Sequence, residues 1–153
     1  MIDDRFKSAL EIISSKLNNN IKWALVGSTN MALQGIPVNP GDLDVVVRYS
    51  DLKKMKGIFS DYKVSEIKEL KPFVSGQSCA GDVKFNILGA DVQIFGEEDG
   101  GNYIKYLLSN NNLVFVEVDE MKVPFFKLEI EAQVYWDTGR NNKAEIIREF
   151  LKN

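Results

Sequence analysis

Two periods of hydrophobic and polar residues run along this sequence, and each predicts a different kind of element. Over residues 3–17 the apolar side chains recur every three or four positions, which is the spacing of an amphipathic helix. Over residues 42–48 the pattern has a period of two, which predicts a strand. Leu43, Val45 and Val47 therefore share one face of that strand, and Asp42 and Asp44 share the other.

The same patterns, combined with glycine, proline and serine signals, predict the remaining elements. We expect helices at residues 29–34, 51–59, 102–108, 127–137 and 142–152, and strands at residues 23–26, 62–67, 82–87, 91–94 and 113–118. Ser28 and Ser50 are expected to cap the helices that follow them, and Pro124 to introduce the closing helix pair. Two consecutive strands are joined by a glycine turn, so the sheet cannot be wholly parallel. The predicted fold class is α/β (α+β), a single domain over residues 1–153 with a mixed β-sheet and flanking helices.

The composition limits the chemistry that this chain can perform. It has 153 residues and no histidine, which excludes Ser-His and Cys-His nucleophile pairs, histidine general bases and histidine-ligated metals. Cys79 is the single cysteine, so an internal disulfide and a cysteine-rich zinc site are excluded as well. The chemistry left to the chain uses carboxylates, hydroxyls, amines or a hard metal ion bound through oxygen.

Charge and hydropathy bear on partners and location. The net charge of −3 and the scattered lysines give no support to a nucleic-acid partner bound by phosphate neutralisation. No apolar run approaches the roughly 20 residues that cross a bilayer, so no membrane partner is expected. The N-terminus is charged where a signal peptide becomes apolar, so we expect a cytoplasmic protein.

Asp42 and Asp44 are the first candidates for chemistry. Aspartate is disfavoured in strands, and two like charges at neighbouring positions of one face repel each other. Such a pair lies either at a solvated edge of the sheet or beside a cation that neutralises it. Paired carboxylates suit Mg²⁺, which takes one or two of them together with phosphate oxygens. Both interpretations remain open at this point.

Gly27 and Ser28 stand where a predicted strand gives way to a helix. Glycine lets a phosphate approach the backbone, the N–H groups at a helix start bind anions, and the serine hydroxyl can donate to a phosphate oxygen. A Gly-Ser pair is also an ordinary helix cap. Together with the aspartates that follow, it predicts a site for a nucleoside triphosphate with Mg²⁺ as cofactor.

The spacing of the two motifs is specific. Gly27-Ser28 follows an apolar segment, and Asp42-Leu43-Asp44 comes after a helix and a further turn, with thirteen residues between the motifs. This arrangement resembles the signature of the nucleotidyltransferase superfamily, which includes minimal nucleotidyltransferases and enzymes with a polymerase-β-type fold. The segment 128–143 is similar to the C-terminal helices of small members of that superfamily.

The resemblance implies a reaction and a role for each motif. The reaction is transfer of a nucleoside monophosphate from a Mg²⁺-bound nucleoside triphosphate to an acceptor, with release of pyrophosphate. Asp42 and Asp44 would be catalytic residues and metal ligands, and Gly27 and Ser28 would bind the nucleotide. The acceptor stays open between a small molecule, a protein and tRNA. A helical partner protein is also implied, because small members often act beside one.

The resemblance is incomplete at a third carboxylate, which the superfamily carries on a later strand. The matching position is Gln93, whose carbonyl could ligate the metal weakly but which cannot act as a base. Asp91 lies two residues earlier on the same face and could serve as the third catalytic carboxylate. If it does not, the chain is a catalytically degenerate nucleotide-binding or interaction module. Arg140 and Lys143 suit either contact with phosphates or the ends of the closing helices.

Overall fold

The strands form one mixed sheet. The computed structural model describes residues 4–17, 20–70, 80–109 and 111–153, so residue 3, where the first helix is expected to begin, and Cys79 lie outside the described residues. The strands are β1 (Trp23–Val26), β2 (Leu43–Arg48), β3 (Lys68–Leu70), β4 (Ala80–Ile87), β5 (Ala90–Glu97), β6 (Leu113–Val118) and β7 (Met121–Phe126). They lie in the order β3-β4-β5-β2-β1-β7-β6. Because β2 pairs parallel with β5 and antiparallel with β1, the predicted mixed sheet is confirmed.

Helices cover both faces of this sheet. They are α1 (Asp4–Leu17), α2 (Gly27–Leu33), α3 (Tyr49–Leu52), α4 (Met55–Ile58), α5 (Ile104–Leu107), α6 (Leu128–Asp137) and α7 (Asn141–Leu151). The apolar stripe of α1 shares one buried cluster with alternate residues of β2, and α5 and α6 share a second cluster with Val26 and Val46. Within the described ranges no helix has the length and apolar character needed to cross a membrane.

The alternation predicted for β2 is confirmed, and it decides where Asp44 lies. Leu43, Val45 and Val47 are fully buried in the cluster that contains α1. Asp44 is on the opposite face, in register with Val26 at the end of β1 and with Gln93 on β5. Because α2 begins directly after Val26, the start of that helix and Asp44 come together at one point of the sheet.

The start of α2 differs from the prediction. The helix begins at Gly27 rather than at residue 29, and Ser28 lies inside its first turn instead of capping it. Val26 occupies the cap position and makes no side-chain capping bond. The φ of Gly27 is +74°, which glycine accepts readily, so the chain turns from the strand straight into the helix.

The helix expected at residues 51–59 is divided into two short ones, α3 and α4. Ser50 lies inside α3, so the prediction that it caps a helix is wrong. A 3.0 Å hydrogen bond from the Lys54 N–H to the Asp51 carbonyl tightens the chain between the two helices. Of the other predicted elements, the hairpin, the strand at residues 113–118 and the closing helix pair are confirmed to within a few residues.

The strands differ from the prediction at two places. Residues 62–67 do not form a strand, because the Ser65 hydroxyl accepts the Lys84 N–H at 2.9 Å in place of a backbone carbonyl, and β3 follows at Lys68–Leu70. Pro124 lies within β7 rather than ahead of a helix. The side chains of residues 123–126 are all buried, and this burial outweighs the turn signal of the proline.

Candidate functional site

Asp42 and Asp44 form a carboxylate pair at the start of β2. Their side chains are hydrogen-bonded to each other, and Asp44 Oδ1 is buried without a hydrogen-bond partner among the described residues. Burial first, and then the charge and hydrogen bond of Asp42, raise the pKa of Asp44 from 3.8 to about 8. Asp44 is therefore protonated at neutral pH unless a cation joins the pair.

Gly27 lies against this pair, and a side chain in its place would have to displace the Asp44 carboxylate. A Cβ atom at this position would lie 2.7 Å from Asp44 Oδ2. Thr29 ties the same turn to the pair, because its hydroxyl donates to the Asp42 carbonyl at 2.7 Å. Ser28 lies between these two contacts and is half-buried. The structure thus brings together the two motifs that the sequence singled out, in direct contact at Gly27 and Asp44.

The position beside the pair on β5 holds Gln93, in register with Asp44. Its amide Nε2 donates to Asp82 Oδ2 at 2.5 Å, and Asp82 is a buried side chain of β4. Asp91 is exposed near the hairpin turn, where its carboxylate accepts a hydrogen bond from Asn86 Nδ2 at 3.0 Å. The hydrogen bond of Asp91 is therefore made within the hairpin. In the parts of the chain that the structure describes, no three histidine, cysteine, aspartate or glutamate side chains are grouped to hold a metal.

Glu131 of α6 is a site residue that the sequence analysis missed. It is fully buried, and its Oε1 accepts the Gly27 N–H at 2.7 Å and Asn30 Nδ2 at 2.9 Å. Its Oε2 accepts the hydroxyl of Tyr103. Burial raises the pKa of Glu131, and these hydrogen bonds oppose the rise. The available signal was an acidic residue on the apolar face of α6, three residues after the buried Leu128.

Two cationic side chains from the α6–α7 connection and the start of α7 approach the carboxylates. The Arg140 guanidinium lies 4.8 Å, and the Lys143 ammonium 5.5 Å, from the centre of the Tyr135 ring. The positive charge of Lys143 works against the rise in the pKa of Asp44, and that of Arg140 works against the rise at Glu131. The sequence left open whether Arg140 and Lys143 contact phosphates or only end the closing helices. In the structure both positive charges act on carboxylates of the site.

The carboxylate pair fits a hard divalent cation such as Mg²⁺. Two adjacent carboxylates, one of them with a buried oxygen that has no partner in the described part of the chain, supply oxygen ligands. Mg²⁺ takes one or two carboxylates and completes its shell with phosphate oxygens and water, so a third carboxylate is not required for it to bind. Such a cation would remove the repulsion between Asp42 and Asp44.

Comparisons with known proteins agree with this fold. No family model and no curated protein sequence matches the chain. A candidate nucleotidyltransferase from Thermotoga maritima, a solved structure, is 30% identical with a TM-score of 0.74, over 99% of this chain and 96% of that chain. An antigenic nucleotidyltransferase-like protein from Paracoccidioides brasiliensis is 17% identical with a TM-score of 0.60, over 99% and 76% of the two chains, a likeness of fold alone. The chain therefore belongs to the nucleotidyltransferase superfamily, and this membership supports a general role in nucleotidyl transfer.

Proposed function

We propose that this protein binds a Mg²⁺-nucleoside triphosphate at Asp42 and Asp44, transfers the nucleoside monophosphate to an acceptor and releases pyrophosphate. The observation that carries the proposal is the buried Asp44 Oδ1, which has no hydrogen-bond partner among the described residues. Buried polar atoms are ordinarily hydrogen-bonded, so a pair that served only the fold would have this oxygen satisfied. Contact with the Gly27 turn adds the second half of the site.

Each residue has a separate task in this proposal. Asp42 and Asp44 would hold the cation, and Asp44 would release its proton to solvent as the cation binds. Bound Mg²⁺ would neutralise charge on the triphosphate. The hydroxyl of Ser28 donates to a phosphate oxygen, and the ammonium of Lys143 balances phosphate charge. The chain itself thus contributes mainly positioning and electrostatic stabilisation.

A second candidate function rests on Gln93. An amide cannot take a proton from an acceptor hydroxyl, and this amide is already engaged with the buried Asp82. Asp91, the carboxylate expected to replace it, is exposed and bonded to Asn86 instead. On this observation the protein would bind the nucleotide without transferring it. The two functions share the Asp42–Asp44 site and differ in turnover.

The test is a transfer assay with nucleoside triphosphates labelled at the α-phosphate and a panel of acceptors: small hydroxyl compounds, tRNA and protein. We expect Asp44→Asn to abolish both nucleotide binding and transfer. Asp91→Asn is the matched control, because it neutralises an exposed carboxylate on the neighbouring strand, and it should leave both unchanged. Wild-type binding without transfer would favour the degenerate module. Binding that survives Asp44→Asn would contradict the proposed site.

A paired substitution separates the two functions further. Gln93→Glu alone would bring a second carboxylate against Asp82. The informative variant is therefore Asp82→Asn/Gln93→Glu. It keeps a hydrogen bond between the two positions, because the new amide at position 82 donates to the new carboxylate at position 93. It places a carboxylate beside Asp44, in register on β5. If the wild type only binds, we expect this variant to gain transfer. If the wild type already transfers, the variant should change its rate and pH dependence.

A further inference from the structure

Gly27 lies between two carboxylates that come from distant parts of the chain. Its N–H donates to Glu131 Oε1 at 2.7 Å, while a Cβ atom on its other side would lie only 2.7 Å from Asp44 Oδ2. The N–H group is therefore committed to a protein carboxylate. The contact of the Gly27-Ser28 turn with a phosphate must then come from Ser28 and later groups rather than from the Gly27 N–H.

Glu131 also fixes the helix that follows the turn. The same Oε1 atom accepts Asn30 Nδ2 at 2.9 Å, and Asn30 Nδ2 lies 3.1 Å from the Phe126 carbonyl as well. The other oxygen of Glu131 accepts the hydroxyl of the buried Tyr103. The two donors on Oε1, the Gly27 N–H and the Asn30 side-chain amide, both belong to α2, so this one oxygen sets the place of the first turn of that helix.

The negative charge of Glu131 would repel a triphosphate bound nearby, so its presence beside the site calls for a physical explanation. Glu131 accepts the Gly27 N–H at 2.7 Å, and Gly27 in turn lies against Asp44, so this charge is separated from the carboxylate pair by a single residue. A neutral acceptor could satisfy the fold at less electrostatic cost, but charge-assisted hydrogen bonds are shorter and stronger than neutral ones. This favours a role in which the reach and strength of the acceptor matter.

We propose that Glu131 is a positioning residue that holds the Gly27-Ser28 turn against the Asp42–Asp44 pair, so that Ser28 meets the triphosphate. This inference rests on the proposed function, because it assumes that a nucleotide occupies the pair. Glu131 itself contacts neither nucleotide nor metal in this account. Its effect on nucleotide affinity is therefore through the geometry of the Gly27-Ser28 turn.

The experiment compares three variants that alter different properties of this contact. Glu131→Asp keeps the charge but withdraws the acceptor by about 1.5 Å, the length of one carbon–carbon bond. Glu131→Gln keeps the reach and one acceptor oxygen while removing the charge. Tyr103→Phe removes the bond to the other oxygen and keeps the ring in its cluster. Calorimetry with Mg²⁺ and ATP, GTP, CTP or UTP gives nucleotide affinity, Mn²⁺ alone gives cation affinity, and a thermal melt reports folding.

We expect Glu131→Asp to weaken nucleotide binding at least about tenfold, the effect of losing one charge-assisted hydrogen bond that holds the turn. Glu131→Gln should lose about threefold, the effect of a weaker acceptor. Tyr103→Phe should lower the melting temperature without changing nucleotide affinity. Mn²⁺ affinity should stay the same in Glu131→Asp and Tyr103→Phe, which both keep the charge of Glu131. If Glu131→Asp does not fold, the inference is tested by nucleotide affinity in the other two variants: Glu131→Gln should lose affinity and Tyr103→Phe should keep it.

Two results would overturn the inference while the proposed function stands. One is wild-type nucleotide affinity in both folded Glu131 variants. The other is an equal loss of affinity in Tyr103→Phe, because the effect would then follow stability rather than position. Failure of the wild type itself to bind any of the four nucleotides with Mg²⁺ is a different result. It would overturn the proposed function and this inference with it.

Discussion

Replacing Asp44 with asparagine should stabilise the cation-free protein, and more strongly as the pH rises. The pKa of Asp44 is about 8 in the folded protein, against an ordinary value of 3.8. Between these two values the folded state holds a proton that the unfolded state has lost. The free energy of unfolding of the wild type therefore falls as the pH rises through this interval, while the Asp44→Asn variant carries no such group.

The size of the effect follows from the same shift. One pH unit corresponds to about 1.4 kcal/mol, so the whole interval from 3.8 to about 8 sets a ceiling of about 6 kcal/mol. Asp44 is partly exposed, and water that enters the pair reduces the cost of its charged form. We therefore expect a gain of about 1–3 kcal/mol at pH 8.5 and a smaller gain at pH 5.

Urea denaturation in the presence of a chelator, at pH 5 and pH 8.5, measures this directly. Asp91→Asn serves as the control, because it removes an exposed carboxylate of the same type, and its effect should stay within about 0.5 kcal/mol. A loss of stability in Asp44→Asn at pH 8.5 would refute the reasoning, since it would show that the pair supports the fold. A gain of equal size at both pH values would refute the assigned pKa.

Two further predictions concern the turn and the cation beside the pair. Gly27→Ala should destabilise the protein by more than Gly139→Ala. Both positions have positive φ, which alone costs roughly 1–3 kcal/mol, but a Cβ atom at Gly27 would crowd Asp44, whereas one at Gly139 meets nothing within 4 Å. Equal losses of stability in urea denaturation would show that the contact with Asp44 is unimportant. Lys143→Gln should weaken nucleotide binding by about two- to fivefold, the value of one partly exposed charge pair, and raise the pKa of Asp44 further. Lys152→Gln is its control in calorimetry and in carboxyl NMR titration, and equal effects of the two lysines would contradict a specific role.

The parts of the site that could be predicted from the sequence depend on local geometry. The period of two in β2 placed Asp44 on the face opposite Leu43, Val45 and Val47, and the structure shows Asp44 on that face in contact with Gly27. The exact start of α2 was not predicted, because the helix begins at a glycine whose N–H is satisfied by Glu131 rather than by a local cap. Helix-capping rules consider only residues next to the helix start, and Glu131 lies 104 positions from Gly27 in the sequence.

The other missed features have the same physical origin. Pro124 signals a turn when its neighbours alone are considered, yet the residues around it are buried between β1 and β6. Asp82 looks like an ordinary polar position of a hairpin strand until β4 and β5 bring it to the amide of Gln93. Long-range pairing thus decides which polar side chains meet, and spacing along the chain does not contain that information.

The most direct test of the account is a crystal structure of the protein with Mn²⁺ and a triphosphate analogue that cannot be cleaved at its α-phosphate. Anomalous scattering identifies the cation independently of the protein atoms. The account predicts an anomalous peak bound by Asp42 and Asp44, with the triphosphate on the same ion and against Ser28. A nucleotide bound elsewhere, or a carboxylate pair that stays hydrogen-bonded and free of metal at saturating Mn²⁺, would contradict it.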